Sequence, residues 1–241
     1  MIVNYREEGW QIISQRAHGL LAGQICFQWK SKNRPERWLE TIIATAEHDD
    51  VFNEFDGDAL LLNENGSPVN YKMRQFERDK CEELLHHALT KSRYIALLTS
   101  RHMRFLYEDS EDEAARKYTT DLKAQDNIWM KEIGISEKEI SKAYAILEWS
   151  DALSLLLCQN LVPPENRKIE ISAGAEKTSH MLHSPAYDKL IVEPWPFESK
   201  EFTISFESRT IKQLAFKDVQ EFRKILESAP LEMHSYTVSK N

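Results

Sequence analysis

The chain has 241 residues, of which 41% are hydrophobic, 10% aromatic and 29% charged, and its net charge is −8. Such a composition belongs to a globular protein with enough apolar residues to bury a core, and its acidity disfavours a long nucleic-acid footprint while leaving room for a small phosphorylated ligand. Cys26, Cys81 and Cys158 lie far apart in apolar helical patterns, which fits free core thiols in a reducing compartment rather than a disulfide framework. The first residues lack the basic start and apolar stretch of a signal peptide, and no segment approaches the roughly 18 apolar residues of a membrane helix, so no membrane partner and a cytoplasmic location are expected.

Residues 1–6 read as a short strand ended by Gly9. Helical periodicity follows over 10–29, 35–50, 73–91, 93–107, 112–132 and 137–159. Pro35 suits a first helical turn, where its missing N–H costs nothing. Ser136 and Glu139 have the spacing of a capping box ahead of an apolar run. Between the second and third helices, residues 51–71 carry Gly57, Asn65-Gly66 and Pro68, all turn formers. A stretch this long and polar is either a lid or specificity loop or a surface excursion. At Val162-Pro163-Pro164 the helical pattern stops, and 168–172, 189–192 and 202–206 carry the β-branched residues of strands, followed by a helix over 217–228 and a last strand over 231–238. The expected fold is therefore mainly α: a helical domain over 1–160, which includes the N-terminal strand, and a small β-rich α+β appendage over 161–241 packed on it, to which that strand can add. No sustained heptad seam demands a partner helix, so the oligomeric state is left open.

Ionisable residues fall where a core is expected. On the last long helix the stripe Ile140, Tyr144, Leu147, Asp151, Ser154, Cys158 places a carboxylate among apolar neighbours, a costly burial unless a cation or hydrogen bonds compensate it. On the second helix, Trp38, Leu39, Ile42 and Ala46 lead seven residues on from Ile42 to Asp49, with His48 beside it. His102 follows Ile95 and Leu98 inward, and His18 sits at the edge of the apolar face of the first helix. Each alone reads as a hydrogen-bonded core residue. Together, on separate helices, imidazoles and carboxylates suit a divalent metal such as Zn, Mn or Fe, and the absence of a C-x-x-C pair disfavours a structural zinc site.

His18, then His48-Asp49, then Asp151 resembles the H…HD…D signature of the HD-domain metal-dependent phosphohydrolase superfamily, over roughly residues 10–159. The segments Ile13-Ser-Gln-Arg-Ala-His18, Ala46-Glu-His-Asp-Asp50, Arg93-Tyr-Ile-Ala-Leu-Leu-Thr-Ser-Arg-His102 and Asp151-Ala-Leu-Ser-Leu-Leu-Leu-Cys158 also look like an uncharacterised bacterial family, domain of unknown function 3891. That family has Gly-Trp after the His-Asp-Asp triplet, where this chain has Val51-Phe52. The superfamily resemblance implies an HD-like helical bundle in which His18, His48, Asp49 and Asp151 hold one metal ion. In binuclear members two further histidines contribute and the Asp of the pair bridges both ions. His102 fits by position and either His86 or His87 by order, with His87 preferred for its place nearer the face of Cys81, Leu84 and Ala88.

One or two such ions (Mn, Zn, Mg or Fe) would activate a water for attack on a phosphomonoester or phosphodiester, a nucleotide among the candidates, with Asp49 at the centre of the chemistry. Arg16 and Arg101 are the candidate phosphate-binding cations, with Arg93 and Arg104 nearby. Gln15, Glu47 and Asp50 are candidates to orient the ligands. An HD-type di-iron oxygenase and a non-catalytic small-molecule or metal sensor are the alternative readings. Glu83 and His86 form an isolated E-x-x-H, and His180 and His183 read as surface residues of a loop.

Overall fold

In the computed structural model, which describes residues 1–57, 60–174 and 178–240, the chain opens with a β-hairpin rather than a single strand. Strands β1 (Ile2–Arg6) and β2 (Gly9–Ile13) pair antiparallel with Ile2 opposite Ile13 and Arg6 opposite Gly9. Gly9 has φ of +130°, a conformation that costs glycine little, and a Cβ there would lie 2.2 Å from the Ile211 carbonyl oxygen. The helix expected from residue 10 thus starts only at α1 (Gln15–Phe27), where the Ser14 side chain accepts from the Ala17 N–H.

Five helices follow: α2 (Trp38–Ala46), α3 (Arg78–Leu89), α4 (Arg93–Tyr107), α5 (Glu113–Ile133) and α6 (Glu137–Cys158). The Ser136–Glu139 capping box forms as its spacing predicts. Pro35 precedes the first turn of α2 instead of occupying it, and the helix ends at Ala46, before the His-Asp pair. After α6 come β3 (Ile169–Glu170), β4 (Met181–Ala186), β5 (Lys189–Glu193), β6 (Glu201–Ile211), α7 (Val219–Ser228) and β7 (Leu231–Ser239).

The strands form one seven-stranded sheet in the order β1-β2-β6-β7-β5-β4-β3. All its pairs are antiparallel except β5 with β7. The expectation of a mainly α chain is therefore corrected to a mixed α/β fold. Its longest ladder joins β6 to β7, from Glu201 opposite Ser239 to Arg209 opposite Leu231, and β6 also carries the N-terminal hairpin through β2. His180 and His183, expected on a surface loop, are buried, with His183 inside β4. No helix among the described residues is long and apolar enough to cross a membrane.

The main apolar cluster mixes helix and sheet: Leu21 and Ile25 of α1, Trp149 and Leu153 of α6, and Leu182, Leu190, Ile204 and Val238 of the strands. Cys26, Cys81 and Cys158 are free and buried. The stretch 51–71 is partly anchored, since Leu61, Leu62 and Val69 are buried and a short 3-10 turn at Tyr71–Met73 ends it. Glu54 within it is buried and accepts from the Gln15 backbone N–H at 3.1 Å, holding the stretch to the start of α1.

Helix α1 meets α2 through glycines. A Cβ on Gly19 would lie 2.4 Å from the Ala46 carbonyl oxygen, and one on Gly23 would lie 2.8 Å from the Ala46 Cβ. Gly19→Ala should therefore push the end of α2 away and destabilise the fold by about 1–3 kcal/mol, the usual cost of overpacking. Chemical denaturation of both forms measures this, and an unchanged midpoint would show that the close approach is dispensable.

Candidate metal centre

Three helices and one turn bring the sequence-selected residues together. His18 is on α1, Asp151 on α6 and His102 on α4, while His48 and Asp49 sit in the turn that follows α2. His18, His48, His102 and Asp151 are buried, and Asp49 is partly so. Two overlapping groups arise, His18–His48–Asp49 and His48–His102–Asp151, with the donor atoms of each group within 4.8 Å of one another.

The arrangement of protons is set from outside the cluster. His48 Nδ1 lies 2.7 Å from the Thr45 carbonyl oxygen, which can only accept, so this nitrogen carries a hydrogen. His18 Nδ1 lies 2.7 Å from Ser154 Oγ, whose own proton goes to the Asp151 carbonyl at 2.8 Å, so His18 Nδ1 donates as well. In the neutral rings both Nε2 atoms then carry lone pairs, and they face each other at 3.0 Å. Asp151 Oδ1 is 3.2 Å from His18 Nε2 and 3.3 Å from His48 Nε2, and Asp49 Oδ2 is 3.6 Å from both. Gln15 Nε2 donates to Asp49 Oδ2 at 2.8 Å and fixes that carboxylate. Asp151 Oδ1 is buried without a hydrogen bond.

Lone-pair donors crowded at 3.0–3.6 Å require a cation between them. With metal–ligand bonds of about 2.1 Å, neighbouring donors stand about 3.0 Å apart around an octahedral ion and about 3.4 Å apart around a tetrahedral one. The alternative cation is a proton. Burial pulls His48 down, but attraction from Asp49 and Asp151 prevails and raises it to about 10. His18 is raised too, burial being outweighed by Asp151 and Asp49. Burial opposes ionisation of Asp49, yet the facing His48 and His18 lower it to about 2, and the same neighbours hold Asp151 well below the ordinary carboxylate range. Burial and the His48 charge lower His102 to about 4, which leaves it neutral, with its Nδ1 3.5 Å from the Tyr144 hydroxyl.

The other candidates lie elsewhere. His86 and His87 are exposed on α3 and belong to neither donor group, because the buried face of that helix is Cys81, Leu84 and Ala88. Arg16 is half exposed and gives Nε and Nη2 to the Asp50 carbonyl at 3.0 and 2.7 Å. Arg101 is held by Glu137 at 2.6 Å and Asp126 at 3.3 Å, between α4 and its neighbours α5 and α6. Arg93 pairs with Glu132, Arg104 with Asp126, and Glu47 with Lys91. None of these five side chains lines the cleft of about 240 Å³ that opens onto His18, Asp49, His102 and Asp151. The basic residues lining it are Lys72 and Arg74, which sequence reasoning missed because they sit in an aperiodic segment at the end of the long connection.

Fold and site together define a mixed α/β protein with a buried His/Asp cluster able to bind a metal ion. The chain belongs to the DUF3891 family, described as a protein of unknown function, whose sequence pattern matches residues 1–213. Comparison with curated proteins and with solved structures gives no match.

Competition between protons and metal makes a sharp expectation. Metal binding near pH 7.5 should displace about one proton or more per ion, since the ligand imidazoles must be neutral to bind. Calorimetry in buffers of different ionisation enthalpy reads this directly. A binding heat independent of buffer would contradict the protonated, metal-free cluster.

Proposed function

We propose that this protein is a metal-dependent phosphoester hydrolase of HD type. The observation that supports it best is the convergence of His18 Nε2, His48 Nε2, Asp49 Oδ2 and Asp151 Oδ1 at 3.0–3.6 Å with both ring protons directed outward. The order His18, His48-Asp49, Asp151 matches the superfamily signature and supports the same reading. His102 is a further donor beside His48 and Asp151. The oxygenase alternative draws on a six-ligand set, and His87 is not in place to complete it.

When bound, a divalent ion supplies a lowered pKa for a water molecule and polarises a phosphoryl oxygen. The residues of the chain do the rest. Ser154 and the Thr45 carbonyl hold the rings of His18 and His48, and Gln15 holds Asp49. Outer partners of this kind are worth about 10–100-fold in metal affinity or activity. The cleft, lined by residues of α1, α4 and α6 together with Phe52 and Tyr71, gives a small ester access to the cluster. Hydrolysis breaks the ester P–O bond, water oxygen joining phosphorus and a proton passing to the departing alcohol.

Elemental analysis of protein purified without added metal, combined with a panel of phosphomonoesters and phosphodiesters, tests this. A bound Mn, Zn, Mg or Fe ion is expected in wild type and lost in Asp151→Ala, with an unchanged far-UV circular dichroism spectrum. Hydrolysis should follow the metal. Equal metal in wild type and mutant would overturn the ligand assignment, and metal-loaded protein inert towards every ester would overturn the hydrolase reading alone.

A further inference from the structure

The lining of the cleft over the cluster adds basic and apolar residues to the candidate metal donors. Lys72 and Arg74 enter it from the 3-10 turn at Tyr71–Met73 and the residue after it, and Phe52, Leu106 and Tyr107 supply an apolar wall. The basic segment is pinned in place. Asn70 accepts from the Lys72 N–H at 3.2 Å and donates to the Val3 carbonyl at 2.8 Å, and the Tyr71 hydroxyl accepts from Gln159 Nε2 at 3.1 Å.

Charge bookkeeping at the site singles out one cation. The charge of a divalent ion is formally balanced by Asp49 and Asp151, the imidazoles being neutral when they ligate it, so a dianion bound there calls for a further cation. Arg74 is already engaged by Glu77 at 2.6 Å and lies 4.1 Å over the Phe52 ring. Lys72 is exposed and makes no ion pair with any described residue. Its ammonium lies 5.8 Å from the centroid of the Tyr71 ring and, being exposed, can still meet an incoming anion at low desolvation cost.

Size and polarity restrict the remainder of the ligand. Ligand pockets usually span about 300–1,000 Å³. This cleft holds about 240 Å³, and Leu106 at its rim is 49% exposed. Resting on the metal-centre reading, we propose that the cleft is selective for a compact phosphomonoester with a small planar apolar group, Lys72 receiving the phosphoryl oxygens and Phe52, Leu106 and Tyr107 the apolar part. A nucleotide, with a sugar and a polar base to accommodate, would have to extend out of this volume into solvent, and is expected to bind less tightly.

Phenylphosphonate, which lacks a cleavable ester bond, makes the test independent of turnover. Its binding to the metal-loaded full chain is measured by calorimetry beside that of inorganic phosphate and adenosine monophosphate, for wild type and Lys72→Gln, with metal content assayed in every sample. Phenylphosphonate should bind more tightly than phosphate and at least about tenfold more tightly than the nucleotide, and Lys72→Gln should weaken it about tenfold at unchanged metal content, as expected for loss of one charged hydrogen-bond donor. Nucleotide binding as tight as phenylphosphonate, or unchanged affinity in the variant at full metal occupancy, would overturn the proposal and leave the metal centre standing. Wild-type protein that takes up no metal would overturn both.

Discussion

Everything at this site follows from one electrostatic constraint: two imidazole nitrogens 3.0 Å apart each stand 3.2–3.6 Å from the oxygens of two carboxylates. Burying such groups is costly unless a positive charge is shared among them. The Thr45 carbonyl and Ser154 remove the simplest compensation, because they take the ring hydrogens that would otherwise face the carboxylates. What is left is a cavity for a cation, filled by extra protons or by a metal ion. The opposite shifts of His48 to about 10 and Asp49 to about 2 express the same fact in the metal-free chain.

The surrounding fold supplies rigidity. His18 is drawn close to His48 because α1 presents Gly19 and Gly23 to the end of α2. Asp151 is fixed by α6, whose flanking Trp149 and Leu153 lie in the cluster that also contains the inward residues of β4–β7. The sheet therefore buttresses the cluster without contributing a donor to it. A metal bound at this point links α1, the turn after α2, and α6, so it would also stabilise the folded chain by mass action.

The sequence exposed the site better than the fold. Asp151 was legible because a carboxylate interrupts an otherwise apolar stripe, and His102 for the same reason on α4. The reasoning that singles out His48 and Asp49 extends a helical period that in fact stops at Ala46, so the two residues reach the cluster from a turn and not from the helix. Most strands were legible but their assembly into one sheet was not, because the long β6–β7 ladder and the attachment of β2 to β6 are pairings between distant segments that local patterning does not encode. The hairpin partner β2 was hidden as well, because Trp10, Ile12 and Ile13 read equally well as a helix start. His87 is preferred in the sequence for lying nearer the face of Cys81, Leu84 and Ala88, yet the buried face of α3 stops short of it and its side chain is exposed. Lys72 and Arg74 carried no periodic signal at all.

The central claim, that a metal ion sits among His18, His48, Asp49 and Asp151, is tested most directly by anomalous diffraction from crystals exposed to manganese or zinc. The account predicts an anomalous peak bonded to Nε2 of both histidines and to an oxygen of each carboxylate, at about 2.0–2.2 Å. Crystals exposed to both metals that show no peak between the rings and carboxylates would contradict it.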